Sequence, residues 1–109
     1  MPSSEVLTGR LRDLLAPRLG IVEKRMFGGI AFLLRGNLLV GVWHDSLIAR
    51  IGIDAYTQAL EQPHVREFDI TGRPMRGWVM IDPSGIRTER QLQRWVEAAH
   101  EFVLTLPPK

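Results

Sequence analysis

The chain contains no cysteine, which excludes disulfide staples and thiolate-held metal. Histidine is scarce as well. His44, His64 and His100 are scattered and lack the close spacing of a metal-ligand set, so no metal and no cofactor are expected. No stretch approaches the ~20 apolar residues of a membrane-spanning helix. The start, Met1-Pro2-Ser3-Ser4-Glu5, has no basic region running into an apolar one, so neither membrane association nor a signal peptide is expected. A strong charge of one sign is also missing, because the net charge is only +2. There is no Gly-x-Ser-x-Gly elbow, and Ser46 and Ser84 fall in turn-like surroundings. No catalytic residue is assigned, and the chain reads as a non-enzyme. What is present is an ordinary globular balance, 45% hydrophobic and 24% charged over 109 residues. That suits one domain, 1–109, able to bury its own core. The absence of cysteine fits a reducing compartment, and a cytoplasmic location is expected.

The periodicity gives the elements. Leu7, Leu11, Leu14 and Leu15 repeat with a helical period, and Ser3 or Ser4 can cap the helix they form, read over 4–16. Pro17 and Gly20 end it. Four strands follow, over 21–27, 29–35, 38–44 and 47–51, with Gly36-Asn37 as a two-residue hairpin turn. A short helix covers 55–61 and stops at Gln62-Pro63. Strands over 65–70 and 77–81 come next, separated by the turn Thr71-Gly72-Arg73-Pro74. Thr88 with Gln91 forms a capping box. The long helix behind it carries Leu92, Trp95, Val96, Ala99 and Val103 on one stripe. The order predicts an α+β fold: a two-layer sandwich whose largely antiparallel sheet of five to six strands carries an N-terminal helix, a short middle helix and a long C-terminal helix.

Neither face of the strand meander is polar. Alternation places Leu38, Val40 and Val42 on one face and Leu39 and Trp43 on the other. Helices can cover one apolar face, and the second then needs a partner. Leu39 and Trp43 are therefore candidate self-association residues, and a homodimer is expected. The other constellation is cationic: Lys24, Arg25, Arg50, Arg73 and Arg76 beside Phe27 and Trp78. Arginine beside aromatic rings can accept phosphate and base, as a nucleic-acid surface does. The competing reading pairs these cations with Glu23, Asp54, Glu67 or Asp69 on neighbouring strands. Gly28-Gly29 is no phosphate loop, because a strand and not a helix follows it. Its expected role is a tight turn or bulge.

Three segments together resemble the TfoX/Sxy N-terminal domain family: Arg25-Met26-Phe27-Gly28-Gly29, Gly72-Arg73-Pro74-Met75-Arg76-Gly77, and the closing Phe102-Val103-Leu104-Thr105-Leu106-Pro107-Pro108-Lys109. The resemblance runs from about Leu11 to Lys109. It implies a secretion-chaperone-like two-layer sandwich. Family members named for function regulate natural competence in bacteria and typically carry a second, helical domain. This chain ends before one, so a stand-alone N-terminal domain is expected. The family supplies no catalytic residues. Arg25, Met26, Phe27, Gly28 and Gly29 are its signature. The leading expectation is a regulatory domain that acts on an unidentified protein partner. A nucleic-acid-binding module and a small enzyme with an unrecognised site are the alternatives.

Overall fold

The computed structural model describes residues 2–26, 28–69 and 72–109, with side chains described from Glu5 onward. Helix α1 (Pro2–Leu15) leads into strands β1 (Ile21–Met26), β2 (Gly29–Leu34), β3 (Asn37–Trp43) and β4 (Ser46–Arg50). Helix α2 (Ile53–Leu60), strands β5 (Val65–Glu67) and β6 (Trp78–Ile81), and helix α3 (Glu89–Leu104) complete the chain. The six strands form one sheet in the order β1-β2-β3-β4-β6-β5. Every neighbouring pair is antiparallel. The α+β expectation therefore holds, with β6 inserted between β4 and β5.

Helix α1 begins at Pro2. A proline is well placed in the first turn, where its missing N–H has no partner to lose. Ser3 and Ser4 consequently lie inside the helix and not at its cap. The β2–β3 turn uses Arg35 and Gly36, at φ 53 and 84, so Asn37 is the first residue of β3 and not a turn residue. Two successive positive φ values match the right-handed twist of a hairpin. Ile70 and Thr71, read as strand end and turn, lie outside the described residues.

All three helices lie on one face of the sheet. Leu7, Leu11 and Leu15 of α1, Tyr56 and Ala59 of α2, and Leu92, Trp95, Val96, Ala99 and Val103 of α3 share one core with Phe32, Val40, Val42, Leu47, Val79 and Ile81. Each such large side chain taken fully out of water stabilises the fold by roughly 1.5–3 kcal/mol. Two ion pairs tie α1 and its exit to α3: Arg10 Nε to Glu89 Oε1 at 3.0 Å and Arg18 to Glu97 at 2.8 Å. Behind α3 the C-terminal segment returns to the β2–β3 turn. Lys109 N donates to the Arg35 carbonyl at 2.9 Å, and Asn37 Nδ2 donates to the Pro107 carbonyl at 2.9 Å.

Leu39 departs from the expected alternation. Phe32 pairs with Val40 but Leu33 with Leu38, so Leu39 is an extra residue in β3. A bulge of this kind turns two consecutive side chains to the same side. Leu39 and Val40 are both fully buried in the helix-covered core. Leu39 is therefore a core residue and not part of the second face.

The second face is covered in one half only. Phe68, Ile48 and Met80 form a small cluster there, joined by Trp43, Met75 and Trp78. Residues 68–69 and 72–78 lie over this half as a stapled loop. Met75 N donates to the Phe68 carbonyl (3.0 Å), Gly72 N to Asp69 (2.9 Å) and Trp78 N to Met75 (3.0 Å). The rings of Phe68 and Trp78 pack 5.9 Å apart. In the other half, Val22, Leu33 and Leu38 fall side by side across β1, β2 and β3. Val22 is 54% exposed, Leu33 and Leu38 are half-buried, and none of the three joins either core cluster.

Candidate functional site

The signature segment stands at the end of the sheet where α1 passes the β1–β2 turn. Met26 pairs with Gly29 across that turn. Phe27, the aromatic of the signature, lies outside the described residues. Gly28 takes φ +77, a backbone region that L side chains enter at a cost of roughly 1–2 kcal/mol. Gly29 is required for another reason, because a Cβ there would run into the Val42 carbonyl of β3. The double glycine thus builds a turn and a close strand approach, in line with the structural role expected of it.

Beside it opens a cleft of about 790 Å³. The helix wall supplies Glu5, Thr8 and Arg12, spaced by three and four residues so that they share one face of α1. The strand wall supplies Arg25, Met26, Ile30 and Val42, and His44 closes one end from the β3–β4 turn at φ 56. Arg12 is held by Glu23: its Nε and a terminal nitrogen donate to the two carboxylate oxygens at 2.8 and 2.7 Å. This fork drops the Glu23 pKa below the usual carboxylate value, with Arg25 adding to the effect. Arg25 itself has no ion pair and no hydrogen bond to an acceptor among the described residues. Glu5, Thr8, Arg12 and His44 were not singled out by sequence reasoning. The one available signal was the polar 5-8-12 spacing running beside the apolar stripe of α1.

The remaining cations do not join this cleft. Arg25 lies level with Ile30, Val42 and Leu47 on the helix-covered side of the sheet, whereas Arg50 pairs with Trp78 on the other. Three strand spacings and three residues separate them, roughly 17 Å between backbones. Lys24, opposite Ala31, projects from the same face as Arg50 but at the far edge. The Arg50 guanidinium sits 5.1 Å from the Trp78 ring and 5.8 Å from that of Phe102. Arg73 and Arg76 are exposed on the stapled loop, and Arg76 is near enough to Tyr56 to oppose the upward pKa shift that burial gives that phenol. The five residues therefore divide between two ends of the sheet and do not form one surface. Of the acids expected to answer these cations, Glu23 feels the charge of Arg25 but is hydrogen-bonded elsewhere, and Glu67 has a hydroxyl partner. Arg12 takes Glu23, and Tyr56 donates its hydroxyl to Glu67 at 3.0 Å. Trp43 lies on the second face, half-buried, with the His44 ring edge-on at 4.2 Å.

Among the described residues no three His, Asp or Glu side chains are grouped to hold a metal ion. No helix among them is long and apolar enough to cross a membrane.

A six-stranded antiparallel sheet, backed by three helices and open on half of its other face, defines a small two-layer α+β domain. The model of the TfoX N-terminal domain matches residues 13–103, most of the chain, and the chain belongs to that family. No curated protein matches it at a significant level. Each of the three motif segments now has a place. Arg25, Met26, Gly28 and Gly29 of the first line the cleft, the second makes the stapled loop, and the third the end of α3 with the return to the β2–β3 turn.

Proposed function

We propose that this domain is a regulatory, non-catalytic protein-interaction module of the competence-regulator kind, working in the cytoplasm as a homodimer. The observation that carries this reading is the half-open second face. Val22, Leu33 and Leu38 form an apolar row on three adjacent strands, outside both core clusters. A row of this kind can meet its own copy across a twofold axis, because an isologous contact needs only one self-complementary patch. The chemistry of the patch, apolar at the centre with Lys24 at its margin, suits an interface core and rim. A regulatory partner protein would then read the dimer.

The test is the molar mass by light scattering across a wide concentration series, for the natural chain and for Leu33→Glu. The expected result is a dimer that Leu33→Glu converts to a monomer that still unfolds cooperatively, with a midpoint no longer dependent on concentration. A chain that stays monomeric at every concentration refutes the homodimer.

A further inference from the structure

The cleft at the β1–β2 turn is independent of the open sheet face, and its chemistry specifies a ligand. Its volume, about 790 Å³, falls within the range of small-molecule sites. The walls are of two kinds. Met26, 37% exposed, and the half-buried Ile30 offer an apolar surface in front of the buried Val42. Arg12 and Arg25 offer guanidinium groups, whose planar forks match oxyanions.

The charges are unequal in availability. Arg12 gives one edge, Nε and a terminal nitrogen, to the Glu23 carboxylate, which matches its charge. Arg25 has no acceptor among the described residues, and its strand position aims it to the side on which α1 packs. Glu5 on the helix wall is the one carboxylate lining the cleft. Arg25, which has no hydrogen-bonded or ion-paired carboxylate although its charge reaches Glu23, can take one oxyanion, and Glu5 on the other wall opposes a second negative charge.

The geometry points to this cleft as a binding site for a small organic carboxylate, a singly charged oxyanion on an apolar body, with Arg25 as the residue that takes the carboxylate. Arg12 is its support: fixed and neutralised by Glu23, it holds the helix wall in place beside the site. A phosphate dianion or a polyanion is disfavoured by Glu5, which separates this site from a nucleic-acid surface. Nothing in the proposal depends on the open face or on self-association.

Benzoate is the probe, followed by amide NMR titration of the whole chain at neutral pH, with benzamide and inorganic phosphate as controls. Saturable shifts are expected at Gly28, Gly29, Ile30 and Val42, with affinity in the millimolar range that such a small ligand reaches. Arg25→Gln is expected to weaken binding about tenfold, the loss of one charge-assisted contact. Arg76→Gln, on the distant loop, leaves it unchanged. The spectrum of each variant reports whether it has folded. Absence of saturable shifts at these amides, equal affinity in folded Arg25→Gln, or equal binding of benzamide or phosphate overturns the assignment.

Discussion

Gly28 and Gly29 are neighbours in sequence, but a methyl group added to each meets different physics. At Gly28 an added Cβ finds nothing within 4 Å, and the obstacle is the φ of +77 alone. At Gly29 the backbone angle is ordinary and the obstacle is the Val42 carbonyl of the neighbouring strand. Gly28→Ala is therefore expected to lower stability by about 1 kcal/mol, the cost of a left-handed L residue. Gly29→Ala has to displace backbone that is paired in the sheet, and a loss of about 3 kcal/mol or more is expected. Urea unfolding followed by tryptophan fluorescence checks the order, and an equal loss at both positions contradicts the steric argument. The importance of the pair was legible from the sequence, since two glycines before an apolar run announce a backbone constraint. The division of labour was not legible, because it depends on where β3 lies. The same holds for the cleft. Arg25 stood out beside the glycines, whereas Arg12 and His44 reach it from elements that only tertiary packing brings together.

Helix α3 shows how far local signals reach at the scale of an element. Thr88 Oγ1 accepts from Gln91 N at 3.1 Å and Gln91 Oε1 accepts from Thr88 N at 3.0 Å, so two donors of the first turn are satisfied reciprocally. Thr88→Ala is expected to cost about 1 kcal/mol, read as a lower thermal midpoint with unchanged helix content. A loss below detection would mean that water replaces the cap at no cost. This element was legible because its cap, its stripe and its stop are all local. β3 was not fully legible for the opposite reason. Strict alternation assigns Leu39 to the open face, but a bulge is a property of the pairing between two strands, and β2 and β3 share no local signal for it. The start of α1 was misplaced on similar grounds: a serine before a helical pattern resembles a cap, and Pro2 extended the helix past it. The full strand order was also out of reach, because the insertion of β6 between β4 and β5 is decided by the packing of the stapled loop and α2.

At the scale of the whole molecule, three groups on β1 and α3, Glu23, Glu97 and His100, respond to acid in the same direction. Glu97 has a pKa below the ordinary 4.5 because Arg18 donates to it, and Glu23 is lowered likewise by Arg12. His100 has a pKa below the ordinary 6.5 because burial disfavours its charged form, with the Arg18 charge adding to this. In each case the unfolded chain binds the proton more readily than the folded one, so stability is complete above the unfolded pKa and falls with pH. The two windows differ. The histidine contribution begins to be lost as pH falls through about 6.5, and the carboxylate contributions only near 4.5 and below. Both ion pairs are partly exposed, which makes each individual contribution modest. Urea midpoints measured across the acid-to-neutral range should therefore decline in two stages. His100→Gln removes the ionisable group and is expected to abolish the first stage while leaving the second. Arg18→Gln is expected to reduce the second stage by freeing Glu97 to titrate normally. It should also reduce the first, because the Arg18 charge contributes to the His100 shift. If the histidine variant keeps the decline between neutrality and pH 6, the buried face of α3 is not its origin, and the coupling of α3 to acid runs through the carboxylates alone.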